Sequence, residues 1–199
     1  QWGLEMQDDI TDAVKWAIDQ GVADPERICI YGASYGGYAA MAGITMTPEL
    51  YKCAINYVGV VDIDMMHDWM TKRSNDRSGA YAAWFHKAIG DPDNPEDKAR
   101  MDKTSPVNLV DKIQVPVMIA HGRRDPRAII DHAEELMDKM DSLKKPYVKL
   151  IKSKEGHGFR KGANIQAAAE AELSFYGQVF EFTPAGDIAL VEIHNEDAL

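Results

Sequence analysis

The sequence predicts an α/β fold built on a mostly parallel sheet with flanking helices. Four short apolar runs alternate along the chain with segments of helical periodicity, and parallel neighbouring strands need crossover connections of this kind. The chain has 199 residues, of which 45% are hydrophobic and 27% are charged, which is typical of a globular domain. No apolar run reaches the roughly 18 residues of a membrane span. We therefore expect a single domain over residues 1–199 with no membrane partner.

The first predicted elements are a helix, a buried strand and a second helix. Within residues 10–18 the apolar side chains fall at i, i+3, i+4, i+7 and i+8, and Gly21 is placed to end the helix. The stretch "RICIYGA" reads as a short buried strand. Residues 36–46 are small and compatible with a helix despite their glycines.

The remaining sheet elements follow the same alternation. Apolar runs at 52–62, 115–122 and 147–153 predict the second, third and fourth strands. Helical patterns at 128–143 and 162–180 follow the last two of these strands.

Two segments lie outside this alternation. Residues 63–111 contain helical stretches with Trp69 and Trp84, followed by a predicted loop over 90–106. Such an excursion either shapes a pocket over the end of the sheet or forms plain surface helices. Residues 182–199 predict a C-terminal strand or hairpin around Pro184, followed by an acidic end.

Charge and cysteine content limit the partners and the compartment. The formal net charge is −10, which repels phosphate backbones and argues against a nucleic-acid partner. Cys29 and Cys53 each lie in an apolar run, and we expect both to be buried free thiols. This interpretation favours a reducing, cytoplasmic location and leaves the periplasm open.

A nucleophile motif follows the first strand. Residues Gly32 to Gly36 fit G-x-S-x-G with Ser34 at the centre, and the strand before and helix after are the context that the motif requires. We expect Gly32 and Gly36 to make room for a sharp turn that presents the Ser34 hydroxyl. The alternative is a purely structural turn.

Two later loops supply partners for this serine. A serine hydroxyl needs a base to take its proton and a carboxylate to orient that base. Asp125 follows the third strand, and His157, flanked by Gly156 and Gly158, follows the fourth. The order serine, acid, histidine is that of α/β-hydrolases.

The other histidines carry less weight. His121 ends a strand, and we expect it to be structural. His67, His86 and His132 lie in charge-rich helical segments and are expected at the surface. No H-x-x-x-H or C-x-x-C pair and no glycine-rich phosphate loop follows a strand, so we expect neither a metal nor a cofactor.

Three stretches resemble the catalytic domain of the prolyl oligopeptidase family of serine peptidases. They are "MQDDITDAVKWAIDQGVADPERICIYGASYGGYAA", "SPVNLVDKIQVPVMIAHGRRDPR" and "EGHGF", and they match in order and spacing over roughly residues 3–180. The resemblance implies that Ser34 is the nucleophile, Asp125 the triad acid and His157 the base. It also implies that the backbone N–H of Tyr35 is one donor of the oxyanion hole.

The resemblance further implies a truncated α/β-hydrolase fold. The family's hydrolase domain has eight strands, of which this chain matches the last four. A preceding segment would carry the first strands and the second oxyanion donor, and a β-propeller would lie further upstream. The strand that ends at Ser34 would then have an open edge. We expect a second copy of the chain, in a homo-oligomer, or the tail strand 187–193 to cover it.

These observations leave three hypotheses for function. The first is a serine hydrolase that cleaves peptide or ester acyl bonds of small substrates through an acyl-enzyme. The second is a catalytically weak or inactive fragment that needs a partner or the preceding segment. The third, a non-catalytic binding module, is disfavoured because all three triad residue types are present.

Overall fold

Helices and strands alternate along the chain as the sequence predicts. The structure, a computed structural model, describes residues 2–73 and 79–195. The helices in these residues are α1 (Glu5–Asp19), α2 (Tyr35–Met46), α3 (Ile63–Arg73), α4 (Ala80–Ala88), α5 (Pro95–Thr104), α6 (Asp131–Ser142) and α7 (Gly162–Val179). The strands are β1 (Cys29–Ala33), β2 (Cys53–Tyr57), β3 (Val117–Gly122) and β4 (Tyr147–Lys152). Short 3₁₀ turns lie at Pro25–Arg27, Pro48–Leu50 and Pro106–Lys112.

The four strands form one parallel sheet in the order β1-β2-β3-β4. Each strand is followed by at least one helix before the next strand, as a parallel sheet requires. The predicted α/β architecture is therefore confirmed. Because the strands are parallel, the loops that follow β1, β3 and β4 all leave the sheet at the carboxyl ends of the strands. These loops carry Ser34, Asp125 and His157.

Apolar side chains bury the sheet from both faces. Alternate residues of a strand point to opposite faces, and Ile119 packs in a cluster with Ile44 of α2 and Leu136 of α6. Its neighbour Met118 packs in the other cluster, which includes Phe175 of α7. The sheet is thus held between α2 and α6 on one side and α7 on the other.

The second strand is shorter than the predicted run 52–62. It ends at Tyr57, and the next residue, Val58, has φ of 45°, which does not fit a strand. The chain then passes close to α2, since a Cβ on Gly59 would lie 2.8 Å from the Cα of Gly37. The apolar pattern of 58–62 reflects burial in this turn.

The first part of the excursion after β2 is helical, as the sequence predicts. The predicted loop over 90–106 is wrong for Pro95–Thr104, which form α5 behind the N-cap Asn94. Helices α3 and α4 are joined by a hydrogen bond between the Nε2 atoms of His67 and His86, at 2.9 Å. Phe85 packs in the same buried cluster as Ile63 and Tyr38 of α2, which places the excursion against the helix that follows the nucleophile turn.

The expectation of two free thiols is wrong. Cys29 and Cys53 form a disulfide between β1 and β2. They are register partners in adjacent strands, and their Cα atoms are 4.6 Å apart, within the range that a disulfide bridges. The reducing-compartment interpretation loses its basis.

The C-terminal prediction is also wrong for the residues that the structure describes. No strand or hairpin forms over 182–195, where a single antiparallel bridge joins His194 to Tyr147 of β4. The backbone N–H of Val191 also donates to Ser174 Oγ on α7, at 2.9 Å. This segment therefore lies by β4, at the opposite edge of the sheet from β1, and does not cover the β1 edge. The acidic end at 196–199 lies outside the described residues.

None of the helices in the described part of the chain is long and apolar enough to cross a bilayer.

Candidate active site

Ser34 occupies a sharp turn between β1 and α2. Its φ is 58° and its ψ is −119°, a combination that non-glycine residues rarely adopt and that is typical of functional turns. The Ser34 N–H donates to the carbonyl of Tyr57 on β2, at 3.0 Å. The turn therefore fixes the serine backbone at the carboxyl end of β1.

The two motif glycines have different roles. A Cβ on Gly32 would lie 1.9 Å from the carbonyl oxygen of Gly36, so the turn closes only because residue 32 has no side chain. A Cβ on Gly36 would meet no atom within 4 Å. The prediction is confirmed for Gly32, whereas Gly36 contributes the backbone that Gly32 approaches.

Ser34, His157 and Asp125 form one hydrogen-bonded chain. Ser34 Oγ lies 2.9 Å from His157 Nε2, and His157 Nδ1 lies 2.7 Å from Asp125 Oδ2. Because a carboxylate only accepts, Nδ1 carries the proton, and Nε2 is left to accept from the serine hydroxyl. The three residues that the sequence singles out are therefore brought together in the tautomer that general-base chemistry needs.

The Asp125 carboxylate is fully enclosed. Its side chain has no exposed surface, and its Oδ1 accepts from the backbone N–H groups of Arg127 at 2.8 Å and Ala128 at 3.1 Å. One oxygen is thus fixed by the backbone of its own turn, and the other faces His157.

The loop that carries His157 is closed by Glu155, which sequence reasoning missed. The Glu155 carboxylate accepts from the Asn164 side chain and from the backbone N–H groups of Arg160 and Lys161. These hydrogen bonds lower the pKa of Glu155. The only sequence signal was an acidic residue two positions before His157, and its partners lie further along the loop and on α7.

The acid loop, which follows β3 and carries Asp125, contacts the histidine loop, which follows β4 and carries His157. A Cβ on Gly122 would lie 2.3 Å from the carbonyl oxygen of Gly156, and the N–H of Arg124 donates to the Glu155 carbonyl at 2.9 Å. Gly158 has φ of 91°, which favours glycine. The two loops therefore pack as one unit around the Asp125–His157 bond.

Tyr35 is the first residue of α2. The first backbone N–H groups of a helix have no acceptor within the helix, and the helix dipole makes this end positive. The Tyr35 N–H follows Ser34 directly in the chain and belongs to the first turn of α2. The Tyr35 ring packs on Trp2, with ring centroids 4.8 Å apart.

Helix α3 contacts the acid loop. The indole N–H of Trp69 donates to the carbonyl of Pro126, at 3.2 Å. The excursion at 63–111 is therefore attached to the loop that carries Asp125.

The surface assignments of two histidines are wrong. His67 is 8% exposed and His132 is completely buried. His132 shares a face of α6 with Leu136 and Met140 at i+4 and i+8, and this spacing was the signal available in the sequence. Within the described ranges, no group of three or more His, Cys, Asp or Glu side chains is arranged to hold a metal ion.

Comparison with known proteins places this geometry in a family. The sequence profile of the prolyl oligopeptidase family matches residues 1–183. The chain is 30% identical over 181 residues to dipeptidyl aminopeptidase BIII of Pseudoxanthomonas mexicana, covering 89% of this chain and 25% of the relative. It is 23% identical to esterase LipC of Mycobacterium tuberculosis, over 86% of this chain and 45% of that protein.

Solved structures give the same result. A puromycin-hydrolyzing peptidase of Mycobacterium tuberculosis superposes with a TM-score of 0.85 at 30% identity, covering 98% of this chain and 28% of that one. The chain thus spans a quarter of the curated peptidase and little more of the solved one. The fold is that of α/β-hydrolases, as the motif predicted. Since the family profile covers residues 1–183 of 199, the chain belongs to the prolyl oligopeptidase family.

Proposed function

We propose that the chain is a serine hydrolase that cleaves the acyl bond of a peptide or a small ester through an acyl-enzyme. The observation that carries this proposal is the continuous hydrogen-bonded chain from Ser34 Oγ through His157 to Asp125 Oδ2, at 2.9 and 2.7 Å. Family membership and the peptidase names of the relatives support the same class of reaction. No cofactor enters the proposed reaction.

The reaction proceeds in two half-reactions. Ser34 Oγ attacks the acyl carbon while His157 Nε2 takes the hydroxyl proton, and the carbonyl oxygen becomes an oxyanion. The Tyr35 N–H and the positive end of α2 stabilise that charge. His157 then donates the proton to the leaving amine or alcohol. Water, deprotonated by His157, hydrolyses the acyl-enzyme and restores Ser34.

Asp125 keeps the imidazole oriented and stabilises the imidazolium that forms. Its enclosure and its two backbone donors keep the carboxylate in one position. Substitution of the triad aspartate by asparagine lowers turnover by up to about 10⁴-fold in serine hydrolases. We expect a loss of that order in Asp125→Asn, with the chain still folded.

The test is labelling with a fluorophosphonate, which phosphonylates an activated serine. We expect the unaltered chain to be labelled, and Ser34→Ala and His157→Ala to remain unlabelled under the same conditions. Circular dichroism of all three chains checks that each is folded. A folded, unaltered chain that takes no label contradicts the proposal.

Peptidase and esterase activity are separated by substrate profiling. The names of the relatives include both a dipeptidyl aminopeptidase and an esterase. Esters are intrinsically easier acyl donors, so we expect faster turnover of short p-nitrophenyl esters than of aminoacyl or dipeptidyl amides. A higher kcat/KM on the dipeptidyl amides assigns the chain to the peptidases.

The second candidate is a weak hydrolase that needs a further segment or a partner. The chain covers 25% of the curated peptidase and 28% of the solved one, and the proposed oxyanion hole draws on one donor, Tyr35. Absence of one such donor lowers turnover by about 10²- to 10³-fold. Slow labelling that still depends on both Ser34 and His157 distinguishes this candidate from an inactive chain.

We further propose that a second copy of the chain covers the outer edge of β1. This strand is the end of the sheet on that side, and the tail lies by β4 instead. An open strand edge is a site for pairing with another chain.

The disulfide also bears on the compartment of the protein. It favours an oxidising location, such as the periplasm, over the cytoplasm.

A further inference from the structure

A second imidazole lies against the Asp125 carboxylate. His121, on β3, is 1% exposed. Its Nε2 lies 2.9 Å from the carbonyl oxygen of Ala128 and 3.6 Å from Asp125 Oδ2. That carboxylate oxygen is also the one that accepts from His157 Nδ1. Asp125 Oδ2 is therefore flanked by two histidines, one on β3 and one in the loop that follows β4.

The contact with Ala128 fixes the tautomer of His121. A carbonyl oxygen only accepts, so Nε2 must carry the proton. The N–H dipole that results also lies close to Asp125 Oδ2, where its positive end stabilises the carboxylate.

Burial keeps this ring neutral. Loss of solvation is the largest influence on the pKa of His121 and lowers it, while the bond to Ala128 and the charge of Asp125 act in the opposite direction. A neutral His121 does not compete as a cation for Asp125. The carboxylate charge therefore remains available to the His157 imidazolium.

His121 also closes the turn that holds Asp125. The N–H of Ala128 donates to Asp125 Oδ1 at 3.1 Å, and the carbonyl of the same residue accepts from His121. Ala128 is thus fixed on both sides of its Cα, and it is 1% exposed. Loss of the His121 donor leaves a buried carbonyl without its partner and releases the backbone that orients the carboxylate.

We propose that His121 is a positioning residue of the hydrolase reaction and acts through Asp125. It holds the 125–128 turn closed and keeps Oδ2 aimed at His157 without adding a charge. This inference rests on the proposed function, because its consequence is the rate at which Ser34 is activated.

His132 offers a matched control in the same buried region. It is completely buried, and its pKa is lowered first by burial and then by interaction with His121. Neither of its ring nitrogens has a hydrogen-bond partner among the residues that the structure describes. His132→Leu therefore removes a buried imidazole of the same size as His121 without removing a hydrogen bond of the 125–128 turn.

The experiment measures fluorophosphonate labelling of His121→Leu, His121→Gln and His132→Leu, with the inhibition constant and the maximal labelling rate determined separately. We expect His121→Leu to lower the maximal rate about tenfold, the size of one lost hydrogen bond, with the inhibition constant unchanged. The glutamine amide reaches the position of Nε2, so His121→Gln should label within about threefold of the unaltered chain. His132→Leu should label at the original rate.

Three results overturn the inference. A folded His121→Leu that labels at full rate would show that His121 does not position Asp125. A folded His121→Gln no faster than His121→Leu, or a His132→Leu slowed as much as His121→Leu, would assign the rate loss to packing. If His121→Leu does not fold, His121→Asn replaces it, since its shorter amide does not reach the Ala128 carbonyl.

Proton NMR keeps this test separate from that of the function. The His157 Nδ1–H, hydrogen-bonded to Asp125, should give a strongly downfield resonance in the unaltered chain, in His121→Gln and in His132→Leu. It should broaden or vanish in His121→Leu. If the unaltered chain takes no label, the proposed function fails, and this resonance alone decides whether His121 positions Asp125. A resonance that persists in His121→Leu overturns the inference.

Discussion

Ser34 has a backbone conformation that a serine adopts only at a cost. A φ of 58° outside a glycine costs on the order of 1–3 kcal/mol, and contacts in the surrounding turn must offset that cost. Gly32 allows the turn to close, because without a side chain it lets the Gly36 carbonyl approach. The G-x-S-x-G pattern predicted the turn, but it did not show that the two glycines differ, because that difference lies in the direction of each missing Cβ.

We predict opposite results for two alanine substitutions in this turn. Gly32→Ala places a Cβ 1.9 Å from the Gly36 carbonyl oxygen and should lower the free energy of unfolding by about 3 kcal/mol or more. It should also abolish labelling of Ser34. Gly36→Ala meets no atom within 4 Å and should leave stability unchanged or raise it by up to about 1 kcal/mol, since alanine favours a helix. Urea denaturation of both chains checks this, and equal losses would contradict it.

His132 should make the stability of the chain sensitive to acid. Burial, followed by the effect of His121, lowers the pKa of His132 to about 3, whereas an unfolded histidine titrates near about 6.5. The unfolded chain therefore binds a proton that the folded chain does not. This contribution to stability is present above about pH 6.5 and is lost as the pH falls from there towards about 3.

The matched variant is His132→Leu. Its free energy of unfolding should exceed that of the unaltered chain at pH 7, because two unpaired buried nitrogens are gone. Below about pH 6.5 the difference should widen by up to about 1.4 kcal/mol per pH unit. Urea denaturation at pH 7, 6 and 5 measures it, and a constant difference across that range would show that His132 does not titrate on unfolding.

At the scale of elements, the apolar runs predicted all four strands, and the helical periodicity predicted the helices between them except α5. The predictions failed where burial comes from something other than the sheet. Val58 is buried in a turn with positive φ, so β2 ends at Tyr57. The Cys29–Cys53 pairing was not predicted because the register of two parallel strands is a property of the assembled sheet.

The disulfide should stabilise the pairing of β1 with β2. It closes a loop with a sequence separation of 24, for which the chain-entropy model gives about 3 kcal/mol. A reducing agent should therefore lower the urea midpoint of the unaltered chain. The double variant Cys29→Ala with Cys53→Ala should have the lower midpoint whether or not the reductant is present. Two free thiols in the oxidised, unfolded, unaltered chain would contradict this prediction.

For the whole molecule, the sequence predicted which residues meet but not what holds them. Ser34, Asp125 and His157 each follow a strand of a parallel sheet, so topology alone brings them together at the carboxyl ends of the strands. His121 was expected to be structural, but its contacts with Asp125 and Ala128 were not predicted. Glu155 was missed because its partners lie further along its loop and on α7. The strand prediction for the tail was wrong because its apolar run, 187–193, packs by α7 and β4 without forming a strand.

The proposed pairing of two copies through β1 makes a prediction at this scale. The Ile28 carbonyl accepts from Lys52, and the Ser34 N–H donates to Tyr57. Alternate residues of a parallel strand face the same neighbour, so the backbone groups of Tyr31 face outward. Tyr31→Pro therefore removes an outward donor and leaves the β1–β2 bonds in place.

Sedimentation velocity should show a dimer of the unaltered chain and a monomer of Tyr31→Pro. Tyr31→Val, which keeps the N–H and removes the ring, should remain a dimer. Circular dichroism should be the same for all three. An unaltered chain that sediments as a monomer would rule out pairing between copies and leave the β1 edge to another segment or protein.

The disulfide also closes a covalent ring around the nucleophile. The chain from Cys29 to Cys53 contains Ser34 and the whole of α2, so a single protease cut within it leaves both fragments attached to each other. A probe bound to Ser34 would then migrate with the intact mass on a non-reducing gel. In a tryptic map, the labelled peptide would be found joined to the peptide that contains Cys53. Mass spectrometric assignment of the modified serine must therefore begin with reduction and alkylation.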